Sequence, residues 1–111
     1  FFPSNYNEVI FMLLCTDVGN TNIKFALYKG EKLLMKLDFP LIADDYAVDL
    51  YTIFRINNVD VSEINGSIIS SVVPIVTDLL GKAIFTVANV ESLVVGPGIK
   101  TGLDIRLDNP G

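Results

Sequence analysis

Residues 9–29 of this chain read VIFMLLCTDVGNTNIKFALYK, two apolar segments joined by the polar stretch DVGNTNIK at positions 17–24. The segment before this stretch, Val9–Cys15, is an uninterrupted apolar run, which predicts a buried strand. After it, apolar residues at every second position from 23 to 27 alternate with their neighbours, which is the period of a second strand. The sequence therefore predicts a strand-to-strand turn that carries a carboxylate, a glycine, amides, a hydroxyl and a lysine.

A turn with these groups can bind a magnesium nucleotide. Asp17 could hold the hydrated cation, and Gly19 would let the backbone approach a phosphate closely. The hydroxyl of Thr21, the ammonium of Lys24 and nearby backbone N–H groups would donate to phosphate oxygens. The alternative is an ordinary surface hairpin, because Asp, Gly and Asn are common turn residues and a strand lysine is commonly solvated. Neither G-x-x-x-x-G-K-[ST] nor G-x-G-x-x-G is present.

The pattern D-x-G-N-T-x-x-K at 17–24 resembles the first phosphate motif of the acetate kinase/sugar kinase/heat-shock chaperone/actin superfamily. More narrowly, the chain resembles the type III pantothenate kinases, because three later segments agree with that family in order and spacing. These are GSIISSVVP at 66–74, VVGPGIKTGL at 94–103 and IRLDNP at 105–110. The resemblance extends from Met12 to the last residue, Gly111.

The resemblance implies ATP-dependent phosphorylation of pantothenate to phosphopantothenate, the first step of coenzyme A biosynthesis. It implies ATP, Mg²⁺ and a monovalent cation (K⁺ or NH₄⁺) as cofactors, and a homodimer formed through a second half. Asp17 would be the metal residue and Gly96, Gly98 and Leu107 would lie at the pantothenate site. The ATP phosphates would be bound by Asp17, Val18, Gly19, Asn20, Thr21, Asn22, Ile23 and Lys24.

Two departures from the family pattern concern the substrate and the general base. Leu107 stands where the family usually has a tyrosine, and it cannot donate the hydrogen bond of a phenol. The family's general-base aspartate lies in a Gly-Ala-Asp-Arg motif, which is expected beyond Gly111, so no catalytic residue is assigned within this chain.

We therefore expect an N-terminal phosphate-binding half, spanning 12–111 and inactive alone, preceded at 1–11 by an extension or an expression remnant. The alternative for the first residues is an additional strand that includes Phe11.

Two other functions remain open. One is a non-enzymatic transcriptional accessory relative of the same family, and the other is a different kinase or ATPase of the superfamily. An acidic base downstream would separate the first from an enzyme, and a screen of acceptor alcohols would identify the second.

Composition narrows the class of protein. The 111 residues suit one small domain, and half of them are apolar, with a mean hydropathy of +0.49. A net charge of −5 without a basic cluster argues against nucleic acid as a partner. No apolar run approaches the roughly 18 residues of a membrane span, so no membrane partner is expected. The absence of His excludes His-based catalysis within these residues, and a single Cys suits a cytoplasmic location.

The remaining sequence predicts the element order β-β-β-α-β-α-β. A third strand presents Leu33, Met35, Leu37 and Phe39 on one side and closes at Pro40. The first helix starts at Asp44–Asp45, and its inner face is Ala47, Leu50, Tyr51 and Phe54, with Asn57–Asn58 as its end. A strand at 64–73 leads to Pro74, which opens a second helix with inner face Val76, Leu79, Leu80 and Ala83, and a last strand covers 93–95.

This order predicts an α/β fold with a mixed sheet, because strands alternate with helices only in its second part. By resemblance, it is one ribonuclease H-like half of an actin-like ATPase, in which the nucleotide lies between two such halves. Ser70 and Ser71 end the fourth strand, so their hydroxyls either line a ligand cleft or stabilise the helix entry. Lys100 and Thr101 could reach an anionic substrate or be solvated. In an extended segment Arg106 could pair with its neighbours Asp104 and Asp108, and the alternative is metal binding by these two aspartates.

Overall fold

The computed structural model describes residues 10–41 and 44–96. The strands are β1 (Met12–Val18), β2 (Asn22–Lys29), β3 (Lys32–Pro40), β4 (Gly66–Ser71) and β5 (Ser92–Val95). Helix α1 (Tyr46–Ile56) and a 3₁₀ turn (Val61–Glu63) follow β3, and helix α2 (Pro74–Ala88) joins β4 to β5. The predicted element order is therefore present, with the short 3₁₀ turn as an addition.

The five strands form one mixed sheet in the order β3-β2-β1-β4-β5. β1 pairs with β2 and β2 with β3 in antiparallel hairpins, while β1, β4 and β5 run parallel. The carboxyl ends of β1, β4 and β5 consequently meet at one edge of the sheet, beside the β1–β2 turn. This is the edge at which open α/β sheets bind ligands.

The main core lies between one face of the sheet and the two helices. The sheet contributes fully buried residues such as Leu14, Phe25 and Ile69, and the helices contribute Phe54 and Leu80. Because these side chains leave water together, they supply the apolar burial that drives folding. The prediction of two helices on a mixed sheet is confirmed.

The starts of both helices and the end of α1 lie at the predicted residues. Asp45 is the N-cap of α1, and its carboxylate accepts hydrogen bonds from the backbone N–H of Ala47 at 3.0 Å and of Val48 at 3.3 Å. α1 ends at the predicted Asn57, which caps it, and α2 begins at the predicted Pro74.

The opposite face of the sheet carries a smaller apolar cluster. Cys15 and Ala26 are buried there, with Leu13 and Tyr28 packed against them. The ring of Phe11 lies so close to Gly66 that an added Cβ would sit 3.1 Å from its Cζ, so Gly66 provides room for that ring.

Three predicted inward-facing residues are exposed instead. A register shift between Leu27 and Tyr28 in the β2–β3 ladder puts Leu33 opposite Tyr28, on the other face from Met35. Tyr51 is exposed because α1 buries Tyr46, Leu50 and Phe54, a phase that rotates Tyr51 outward. The buried residues of α2 similarly lie along Leu80, Ile84 and Ala88, and this phase leaves Leu79 at the surface.

The strand boundaries differ from those of the apolar runs that predicted them, and β1 extends to Val18, past the predicted end at Cys15. β1 starts at Met12 rather than Val9, which lies outside the described residues together with 1–8, and β4 covers only Gly66–Ser71 of the predicted 64–73. Neither helix in the described ranges has the length and apolar character needed to cross a bilayer.

Candidate functional site

The predicted phosphate turn is the tip of the β1–β2 hairpin. Asp17 and Lys24 are directly opposite each other in the antiparallel ladder, both half-buried. At the tip, the Gly19 N–H donates to the carbonyl of Asn22 at 3.0 Å, which closes the turn. Asn20 and Thr21 are exposed beyond this bond. The structure thus gathers the predicted residues around one small projection.

The side chains of this turn divide into two groups. Val18 and Ile23 are 1% and 0% exposed and belong to the helix-side core, so only their backbone could face a ligand. The Val18 carbonyl already accepts a hydrogen bond from the Val72 N–H at 3.2 Å. The chemistry available to a ligand comes from Asp17, the exposed tip and Lys24, a smaller set than the eight residues predicted.

The exposed tip is rich in hydrogen-bond donors. The Thr21 hydroxyl lies 3.5 Å from the amide oxygen of Asn22, a long contact that leaves it able to turn towards another acceptor. Within the described part of the chain, no backbone hydrogen bond uses the N–H groups of Asn20 and Thr21. Successive N–H groups in a turn form a concavity that suits anions.

Gly19 is not required by the local backbone. Its φ lies outside the left-handed region, and an added Cβ would be 3.4 Å from the Asn22 carbonyl oxygen, which is ordinary contact. By contrast, Gly30 in the next hairpin has φ +61, where a side chain is strained. A glycine that the fold does not need is consistent with close approach of a ligand to the backbone.

The carboxyl ends of the parallel strands extend the site. Ser70 on β4 lies opposite Asp17, and Val95 on β5 lies opposite Ser70. Ser71 has a local role, since its hydroxyl accepts from the Val73 N–H at 2.9 Å and donates to the Val73 carbonyl at 3.1 Å. The two serines therefore differ: Ser71 stabilises the helix entry, while Ser70 shares a face with Asp17.

A groove of about 740 Å³ runs between α2 and β5, with Ser71 and Gly96 among its lining residues. Gly96 is the last residue that the structure describes at this end of the chain. The other predicted substrate residues, Gly98 and Leu107, lie outside the described residues. So do Lys100, Thr101 and the acidic positions around Arg106.

The donor set fits a cation carried by a nucleotide better than an all-protein metal site. No cluster of three or more His, Cys, Asp or Glu residues that could hold a metal occurs in residues 10–41 and 44–96. Mg²⁺ usually keeps several waters and binds through one or two carboxylates plus substrate phosphates, which suits Asp17.

Burial raises the pKa of the nearby Cys15 thiol to about 11, so it stays protonated near neutral pH and is no nucleophile.

One charged residue of this region was not anticipated. Asp38 on β3 lies opposite Lys24, on the same sheet face as Asp17. The alternation of β3 placed Asp38 on its polar side, but only the strand register shows which β2 residue it faces.

Sequence comparison identifies similar proteins over almost the whole chain. A family model described as type III pantothenate kinase matches residues 13–111. The type III pantothenate kinases of Geotalea daltonii and of Geobacter sulfurreducens are each 42% identical to this chain in an alignment of 103 residues that covers 89% of this chain. The chain spans 40% of the length of each of these relatives.

Structural comparison supports the fold. A ROK hexokinase from Thermus thermophilus superposes with a TM-score of 0.54 at 15% identity, covering 78% of this chain and 34% of that one. A chain of the PilM–PilN type IV pilus biogenesis complex superposes with a TM-score of 0.53 at 15% identity, covering 82% of this chain and 37% of that one. At such low identity these likenesses show the fold alone. They confirm the predicted fold class, an α/β fold with a mixed sheet and the ribonuclease H-like architecture of one actin-like half.

Proposed function

This chain belongs to the type III pantothenate kinase family, and we propose that it is the nucleotide-phosphate-binding half of an enzyme that phosphorylates pantothenate with ATP. The observation that carries the proposal is the β1–β2 tip, where Asp17 and Lys24 lie side by side beneath an exposed turn. Such a tip offers a carboxylate, an ammonium and backbone donors to one small ligand. A magnesium nucleotide carries the matching groups, because its cation suits the carboxylate and its phosphate oxygens suit the ammonium and the N–H donors.

Asp17 is proposed as the residue that would hold a hydrated Mg²⁺ carried by the nucleotide. When bound, the cation neutralises phosphate charge and fixes the orientation of the phosphate chain. Asp17 is half-buried at the carboxyl end of β1, beside Ser70, where the sheet holds the residue and part of its side chain stays accessible. Because Mg²⁺ keeps several waters and also binds substrate phosphates, a second carboxylate from the described part of the chain is not required.

Thr21, Asn20 and Lys24 are proposed to orient the phosphates. The two tip residues donate from backbone N–H and side chain, and Lys24 places a positive charge one strand away from Asp17. Catalysis of phosphoryl transfer is mostly positioning and charge stabilisation, which a rigid hairpin tip can provide.

The proposed reaction forms a bond between the terminal hydroxyl oxygen of pantothenate and the γ-phosphorus of ATP. The bond between that phosphorus and the β–γ bridging oxygen breaks, and ADP leaves. The hydroxyl proton passes to a carboxylate that we place beyond Gly111, so this chain alone is proposed to bind nucleotide without turnover. Gly96, Gly98 and Leu107 remain the proposed pantothenate contacts.

The proposal also includes a monovalent cation as cofactor, a homodimer formed outside this chain and a cytoplasmic location. They rest on membership of the family, together with the acidic charge and the single buried Cys15 of this chain.

The test is ADP release by the uninterrupted gene product, with Mg²⁺ and ATP, in the presence and absence of pantothenate. Pantothenate-dependent release that disappears in Asp17→Asn supports the proposal. ATP turnover that depends on another alcohol contradicts the acceptor and keeps the phosphate site. Nucleotide binding without any acceptor dependence favours a regulatory relative.

A further inference from the structure

Three charged side chains lie in one row across the central strands. Lys24 on β2 faces Asp17 on β1 and, on its other side, Asp38 on β3. Directly opposed residues in antiparallel strands share a face, and their Cβ atoms are about 4.5–5.5 Å apart. The ammonium of Lys24 is therefore attached midway between two carboxylates, one in the proposed cation site and one outside it.

The two carboxylates differ in their surroundings. Asp17 is half-buried on the central strand, whereas Asp38 is exposed on β3, the strand at the edge of the sheet. The long, flexible lysine stem lets the ammonium reach either side. Lys36 shares this face but lies one pair further along, opposite Ala26, so it is not in the row.

We propose that Asp38 is a positioning residue that receives the Lys24 ammonium when a magnesium nucleotide occupies Asp17. This inference rests on the proposed function of the β1–β2 tip. If Asp17 held a divalent cation, the Lys24 ammonium would be repelled and would need a counter-charge on its other side, still within reach of the phosphates. Asp38 lies on the side away from the cation and offers that counter-charge.

This role predicts that removing the Asp38 charge weakens nucleotide binding, whereas general electrostatics predicts that it strengthens binding. Removing a negative charge near an anion site normally strengthens anion binding, because repulsion falls. If Asp38 instead accepts the displaced ammonium, its loss leaves Lys24 to compete with Mg²⁺ for Asp17. Magnesium-dependent nucleotide binding then weakens, while metal-free binding does not.

The experiment is calorimetric titration of ADP into the uninterrupted gene product, with and without Mg²⁺, at low salt. We expect Asp38→Asn to weaken Mg·ADP binding by about 3- to 10-fold and to leave metal-free ADP binding unchanged or tighter. Asp38→Glu restores the affinity. Glu31→Gln is the matched control, because this exposed carboxylate lies in the β2–β3 turn at the opposite end of the sheet.

A double-mutant cycle separates positioning from a structural role. In a Lys24→Met background, Asp38→Asn should have no further effect on Mg·ADP affinity, because there is no ammonium to receive. Equal losses in both backgrounds, or Asp38→Asn binding Mg·ADP as tightly as the parent, overturn the inference. If the parent protein itself does not bind Mg·ADP, the proposed function fails, a result distinct from failure of the Asp38 role.

Discussion

Gly19 and Gly30 are glycines for different physical reasons, although each lies in a turn between two antiparallel strands. Gly30 has φ +61, which a side chain adopts only with strain, whereas Gly19 has ordinary φ and room for a methyl group. The backbone thus explains one glycine, and the proposed phosphate contact explains the other.

Gly19→Ala should therefore lower Mg·ADP affinity at least about tenfold, roughly 1.4 kcal/mol, with unfolding free energy changed by less than about 0.5 kcal/mol. Gly30→Ala should do the reverse, costing about 1 kcal/mol of stability with nucleotide affinity intact. Thermal unfolding and calorimetric titration of both variants check this pair. A Gly19→Ala protein that binds as tightly as the parent would show that no phosphate approaches the turn closely.

Thr16 is a buried residue whose hydroxyl has no hydrogen-bond partner among the described residues. It lies on β1 opposite Phe25 and Ile69, in apolar surroundings. Thr16→Val should raise the unfolding free energy by about 1 kcal/mol, because it removes a desolvated polar group at nearly constant shape.

The matched variant is Thr77→Val, whose hydroxyl donates to the Val73 carbonyl at 3.0 Å. Loss of that bond should cost about 0.5–1 kcal/mol. Urea unfolding midpoints measure both variants. Destabilisation of similar size in the two would mean that the Thr16 hydroxyl is satisfied in solution.

At the scale of elements, α1 depends on the carboxylate that caps it. Asp45 accepts from two backbone N–H groups, while its exposed neighbour Asp44 makes no capping bond among the described residues. Asp45→Ala should lower the unfolding free energy by about 1 kcal/mol, and Asp44→Ala by only a few tenths, its share of the helix-dipole interaction. Urea unfolding of the two variants decides it, and equal losses would assign the stabilisation to charge rather than to the cap.

Cys15, on the sheet face opposite the helices, makes the free energy of unfolding depend on pH. Burial raises the pKa of Cys15 from 9.0 to about 11, so the folded state holds its thiol proton more tightly than the unfolded state. Its contribution to stability is then fully present below pH 9 and is lost as pH rises towards 11. Between pH 8.5 and 10.5, the parent should lose more stability than Cys15→Ala, measured as the difference in urea midpoints. Identical slopes would contradict a buried, protonated thiol.

At the scale of the whole molecule, the sequence predicted the element order and the place of the turn because both follow from local patterns. The period of two in β2 and the Pro74 and Asn57 signals depend on neighbouring residues alone. The side of a helix that faces the sheet does not depend on neighbouring residues alone. For this reason the exposed Tyr51 and Leu79 were wrongly assigned to inner faces. Such phases are set by tertiary packing.

The candidate site was predicted in the same uneven way. The D-x-G-N-T-x-x-K pattern located the hairpin tip, but the burial of Val18 and Ile23, which removes their side chains from the site, required the sheet and helices together. Asp38 was missed because it is 14 positions from Lys24 in sequence and meets it only through strand register, including the shift near Leu33. Register is a property of the folded sheet and not of either strand.

The described residues also expose several large apolar side chains. Ile75, Phe85 and Val94 are 75%, 49% and 53% exposed, and the last two line the groove between α2 and β5 with Gly81. Apolar patches of this kind are typical of surfaces that contact other protein.

The proposed function depends on the β1–β2 tip binding the phosphates of a magnesium nucleotide through Asp17. The most direct measurement is titration of Mg·ADP into the uninterrupted gene product and its Asp17→Asn variant, with thermal unfolding of both as the check on folding. We expect saturable binding by the parent and at least a tenfold loss of affinity in the variant, at an unchanged unfolding temperature. Equal affinity of two equally folded proteins would contradict it.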